Sequence, residues 1–212
     1  MVEISRRAIL RSGRLLAVAS AVSVECGRAS AATGCAAKPI KKEIRMTMKH
    51  DLAARSSQIH WPEGFDPESA DLFSHNELVI QASCDKIWSQ IIDAEKWPLW
   101  YPNSKDVALL GGAKVLGDDT IWRWNTFGLP IESKIHEYVP HTRLGWYGYP
   151  PGTRPSFYHA WLLMPQGDSC LVLTDEVGMG KDAVHLRETD ENLMHRGHDL
   201  WLATLKWVSE GK

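Results

Sequence analysis

The chain has 212 residues, 44% of them apolar and 24% charged, with a formal net charge of −2. That is enough for one globular domain with a real core plus an additional terminal segment. The balanced charge excludes the basic field that nucleic-acid binding requires. Ten tryptophans are the compositional outlier; they fill a core or line an apolar pocket, and a cavity wall is part of a core.

Residues 1–31 read as a twin-arginine-type signal segment, set aside from the fold. Ser5-Arg6-Arg7-Ala8-Ile9-Leu10-Arg11 resembles that export motif, with Ile9 where an aromatic is usual. Leu15 to Val24 is an apolar run well short of the roughly 20 residues that span a bilayer. Ala29-Ser30-Ala31 supplies small residues for cleavage, and Gly34-Cys35 offers a weaker lipoprotein-type alternative. This order of features implies a periplasmic or secreted protein with no stable membrane span after signal removal. A start at Met46 or Met48 would instead leave it cytoplasmic. Residues 32–70 are polar, basic from Lys38 to Lys49, and carry Pro39, Pro62 and Pro67, which reads as a linker or flexible arm.

The folded domain is expected over 71–212. Asn76 to Ala82 is a strand, Ser83 caps a helix, and Ile87, Trp88, Ile91 and Ile92 recur at helical spacing. Pro98 and Pro102 break that pattern. Asp106 to Leu110 is a short strand. Five more follow, separated by Gly and Pro: Asp119 to Phe127, Pro130 to Val139, Arg143 to Tyr149, Ser156 to Met164 and Cys170 to Val177. Thr189 to Glu210 reads as one long helix with Met194, His198, Trp201, Leu205 and Val208 on a stripe. Gly197 in its middle costs about 1 kcal/mol relative to Ala, so something must approach closely there.

In their order these residues resemble the START and polyketide-cyclase superfamily, the helix-grip fold known as SRPBCC. The carriers are Ile80-Gln81-Ala82-Ser83 before Ile87-Trp88, then Trp97-Pro98 and Trp100-Tyr101-Pro102. Trp122 and Trp124, Ile135-His136-Glu137, Leu144-Gly145-Trp146, His159-Ala160-Trp161, and Val172, Thr174 and Glu176 follow. The resemblance implies an α+β fold. A curved antiparallel seven-stranded sheet grips a long C-terminal helix, with two short helices after the first strand. It implies a deep apolar cavity between sheet and helix. Members bind lipids, sterols, polyketides or plant hormones, and some catalyse cyclisation, dehydration or ring hydroxylation. The fold does not choose between these.

Strand alternation then assigns an inward face. Trp122, Trp124, Thr126, Ser133, Ile135, Glu137, Trp146, Trp161 and Thr174 fall on it, with Trp100 at the wall or mouth. Met194, Gly197, His198 and Trp201 look back from the helix. The first reading is a protein that holds a small hydrophobic or aromatic molecule in this cavity, with no cofactor. His159 and Glu176, on consecutive strands, suit acid–base work in a cyclase or dehydratase-like enzyme. Against that stands a buried polar pair that satisfies itself, the weightier alternative. A third reading is a protein-interaction module built on the loop from Tyr147 to Gly152. His195 and His198, with His185 and Glu188 upstream, lack a second ligand group of recognisable spacing; a surface histidine beside a core one is expected, and no metal. The resemblance pairs the strands near Cys84 and Cys170, which opens a bridge to them in an oxidising compartment; two free buried thiols are expected.

Overall fold

The computed structural model describes residues 48–211. The signal segment and the first part of the arm lie outside the described residues. The domain is one seven-stranded antiparallel sheet in the order β1-β7-β6-β5-β4-β3-β2. The strands are β1 (Leu72–Ile80), β2 (Ser104–Leu109), β3 (Ile121–Thr126), β4 (Leu129–Val139), β5 (Arg143–Tyr149), β6 (Phe157–Gln166) and β7 (Ser169–Gly178). Helix α2 (Cys84–Ile92) and a 3-10 helix (Ala94–Leu99) follow β1, as expected. The Ser83 hydroxyl accepts the Lys86 N–H and caps α2. Helix α4 (Leu193–Glu210) crosses the inner face of the sheet.

Alternation sorts each strand between two cores. On the inner face Trp122, Trp124, Trp146 and Trp161 pack with Trp97 and Tyr101 beneath Trp201 of α4. Trp97 sits at the centre of this cluster, with ring centroids 5.2 Å from Trp201 and 5.3 Å from Trp124. Its indole N–H donates to the Ile91 carbonyl at 3.0 Å, so this central ring is also satisfied. On the outer face Tyr158, Ala160, Leu162, Phe73 and Leu173 form a second core.

That outer core is covered by residues expected to be a loose arm. Helix α1 (Met48–Ala54) and the segment up to Ala70 pack there through Ile59 and Phe65, both buried. Trp61 and Phe65 each set a ring 5.9 Å from that of Tyr158. Burying Ile59 and Phe65 contributes about 1.5–3 kcal/mol each, and a polar segment with few but well-placed apolar side chains becomes a third layer.

Three further expectations change. A register shift between Ile135 and Glu137 in the β4–β5 pairing turns Glu137 away from the cavity. Glu137 instead accepts from Arg143 Nε at 2.8 Å and lies 2.9 Å from His60 Nδ1. The long C-terminal helix is α4, which starts at Leu193 rather than at Thr189; a further helix, α3 (Lys181–Thr189), precedes it, so Thr189 ends a helix rather than capping one. Cys84 and Cys170 are not free thiols but a disulfide with α-carbons 5.3 Å apart. Cys170 sits opposite Ile80 in the β1–β7 register, and Ser83 turns the chain so that Cys84 opens α2 directly above it. Closing a loop of 86 residues contributes roughly 4–5 kcal/mol in the chain-entropy account.

Candidate ligand cavity and its polar end

Between α4 and the inner face lies a cavity of about 120 Å³. The strands supply one side chain in two, and α4 supplies Met194, His198 and Trp201 at spacings of four and three. Of the residues expected to contact a ligand, Trp124, Ser133, Trp146, Met194, His198 and Trp201 line it, as do His159 and Glu176. Trp122, Ile135, Trp161 and Thr174 face the same way but are packed behind the wall. Trp100 is partly buried against the core and does not reach the cavity. Sequence reasoning missed Phe127, Leu129 and Ile131 of the β3–β4 hairpin, Phe157, and Leu186 and Leu193 of the two helices. Glycine content at Phe127-Gly128 marked a turn, but not that the turn folds over α4.

Gly197 explains how that hairpin docks. A β-carbon there would stand 2.3 Å from Cζ of Phe127. The Phe127 ring occupies the space over the helix that any other residue would take, as the cost of a mid-helix glycine implied.

The two ends of the cavity differ. One is aromatic: Tyr101 stacks on Trp201 with centroids 4.4 Å apart and planes 7° from parallel. The Trp124 N–H donates to the Ser133 hydroxyl at 3.1 Å, so this wall presents few open hydrogen-bonding groups. Burial pushes the Tyr101 phenol up, and the Glu176 carboxylate raises it further against the Asn103 hydrogen bond, so it stays protonated.

The other end is polar. Glu176 Oε2 lies 3.4 Å from His159 Nδ1 and 3.1 Å from His198 Nε2. His159 is fixed from both sides: its Nε2 meets the Thr174 hydroxyl at 2.8 Å, and its ring stacks on Trp146 at 4.5 Å, 3° from parallel. His198 Nδ1 faces Asn76 Oδ1 at 3.3 Å and Ser74 Oγ at 3.4 Å. Asn76 carries the network on to His195 Nδ1 at 3.1 Å, and His195 Nε2 reaches Asp51 Oδ2 of α1 at 3.1 Å. His195 is therefore buried and paired, not the surface histidine expected. His185 and Glu188 are exposed and take no part. Among the described residues, His159, Glu176 and His198 bring potential metal-ligating atoms within 4.8 Å of one another.

Burial alone would raise the Glu176 carboxyl. The hydrogen bonds and charge of His159 and His198 outweigh it and hold Glu176 down at about 2. Burial lowers His198, and the Glu176 bond opposes this without reversing it. The His159–Glu176 pair thus has the geometry asked of an acid–base couple. Yet a carboxylate near 2 is a poor proton acceptor at neutral pH, and both His159 nitrogens are occupied.

No family model matches the sequence, and no curated protein does. Solved structures do. A hypothetical protein from Helicobacter pylori superposes with a TM-score of 0.67 at 28% identity, over 73% of this chain and 98% of that one. The di-domain ARO/CYC protein StfQ of the steffimycin biosynthetic pathway gives 0.55 at 13%, over 66% of this chain and 52% of that one. Ara h 8.0201 gives 0.50 at 10%, over 66% and 98%. At the identities of the last two the likeness is one of fold. Sheet order, the two short helices after β1 and the gripping α4 agree with it, and the described domain has the helix-grip fold.

Proposed function

We propose that this protein binds a small, largely apolar aromatic molecule in the cavity between α4 and the sheet. The observation that carries the reading is a cavity of about 120 Å³ whose walls are aromatic and aliphatic and whose polar groups gather at one end. An apolar cavity of about 150 Å³ accommodates benzene, and drug-sized pockets run from about 300 Å³ upward. The volume is therefore that of a ring-sized molecule, not of a sterol or a fatty acyl chain. A ring carrying one hydrogen-bonding head would lie along Trp124, Trp146 and Trp201 with its head toward Glu176. Isothermal titration calorimetry with indole checks this; the absence of saturable binding would remove the reading.

The site of action is an oxidising compartment reached through the segment 1–31. The Cys84–Cys170 disulfide supports this, because such bridges persist outside the cytosol. Alkylating the protein as it is recovered from its own host should leave Cys84 and Cys170 unmodified. Two alkylated thiols would return it to the cytoplasm.

A further inference from the structure

The polar end of the cavity holds an arrangement in which neutral histidines leave one ring lone pair facing a carbonyl oxygen. Glu176 as a carboxylate only accepts, so His159 Nδ1 and His198 Nε2 must both bring protons to Oε2. A neutral His198 then has a bare lone pair on Nδ1, and that lone pair faces the carbonyl oxygen of Asn76 at 3.3 Å. The amide is not free to flip. Its Nδ2 donates to Asp199 Oδ1 at 2.7 Å and to the His195 carbonyl at 3.4 Å, and its Oδ1 faces His195 Nδ1 at 3.1 Å. Ser74 Oγ, at 3.4 Å, is the group placed to donate to His198 Nδ1. A charged ring would also satisfy Asn76, at the cost of a buried cation with a second imidazole 5.0 Å away.

A cation between the three side chains removes the mismatch. His198 Nε2 would give its lone pair to the ion, and Nδ1 would carry the proton and donate to Asn76. His159 Nδ1 would likewise ligate, and its Nε2–H would donate to Thr174 Oγ1 at 2.8 Å. Each ligating histidine then donates its other ring N–H to a fixed oxygen, the second-sphere arrangement that orients ligands at metal centres. The spacings agree. Ligands about 2.0–2.2 Å from an ion are about 3.0 Å apart at octahedral angles and about 3.4 Å apart at tetrahedral ones. The two edges from Glu176 Oε2, to His198 Nε2 and to His159 Nδ1, measure 3.1 and 3.4 Å, and the three residues offer ligand atoms within 4.8 Å of one another.

We propose that His159 Nδ1, His198 Nε2 and the Glu176 carboxylate bind one divalent transition-metal ion of the zinc and cobalt class, with its remaining coordination positions open to the cavity. Two nitrogens and one carboxylate suit such an ion, and three protein ligands leave room for a water or the polar head of a cavity ligand. The inference stands on the polar end alone and does not require the aromatic end to be occupied.

Cobalt is the probe, because its visible d–d absorption reports coordination geometry. The full chain, untagged, is stripped with EDTA, dialysed and titrated with Co²⁺ without any organic ligand. We expect one equivalent bound, a visible spectrum of low coordination number and a raised Tm. Glu176→Gln and His198→Asn should each weaken binding by more than about 100-fold, since loss of an outer-sphere partner alone costs 10–100-fold. His185→Asn, on the exposed face of α3, should bind as the parent does. Failure of the parent protein to take up Co²⁺ or Zn²⁺ would overturn the proposal whether or not the variants fold. Unchanged binding in both ligand variants would overturn it as well. Indole binding is measured separately on the stripped protein, so either site can fail without the other.

Discussion

Glu176 is the residue on which the inner face turns. It is partly buried, charged, and held by two histidines, each fixed in turn by Thr174 or by Asn76 and Ser74. Its carboxyl lies at about 2 in the folded protein against an ordinary 4.5. A group depressed on folding contributes stability above its unfolded value, and that contribution fades as pH falls from 4.5 toward 2. A difference of about 2.5 units corresponds to about 3 kcal/mol. His198, lowered from 6.5, acts in the same direction, because protons then favour the unfolded chain below that value. In the metal-free protein Tm should therefore fall on acidification, gently below pH 6.5 and more steeply below 4.5. Glu176→Gln should be less stable at pH 7 by about 2–3 kcal/mol. Its deficit should shrink steadily as pH falls below 4.5. Thermal melts of both proteins in EDTA, from pH 7 to 3, measure this; parallel curves would mean that Glu176 is not the group held down.

At the scale of elements, the β3–β4 hairpin and α4 are matched through Gly197 and Phe127. Substituting Gly197→Ala removes a helix penalty of about 1 kcal/mol but puts a methyl where the Phe127 ring lies. Phe127 sits at a hairpin tip and is only partly buried, so the ring should move rather than the helix. Tm should change by no more than a few degrees, while indole affinity falls about tenfold as the cavity loses its cover; a calorimetric titration of the variant checks it, and unaltered affinity would mean that Phe127 does not close the cavity. Much of this level was legible beforehand. The period-two strands, Ser83 as a cap and the α4 stripe came from local pattern, which a single segment carries in itself. What was not legible depends on distant partners. Lys181 to Thr189 has too few apolar residues to show a helical period, so the sequence shows no helix there. The bulge after Ile135 shifts one register and takes Glu137 with it. Asn76 meets His195 across 119 positions and Asp51 meets it across 144, contacts that no local spacing encodes.

For the whole molecule, three layers divide the work. Residues 48–70 cover the outer face of the sheet, and Asp51 runs from that layer into the network behind the cavity. The disulfide ties α2 to β7 at the end where the sheet order closes on β1. The inner layer spends most of its tryptophans on packing and leaves only a small space. The resemblance in the sequence named this container, and its volume could not be read there, because it depends on how far Phe127, Leu186 and Leu193 fill the gap. The central claim is that this space holds a ring-sized molecule. The measurement that bears on it most directly is an indole titration of the EDTA-treated protein, followed by isothermal titration calorimetry, beside the variant Met194→Trp, in which a larger side chain occupies the cavity. The account predicts saturable binding at one site in the parent, at least tenfold weaker binding in the variant, and no saturable response to palmitate in either. Saturable palmitate binding, or equal indole binding by the two proteins, would contradict it.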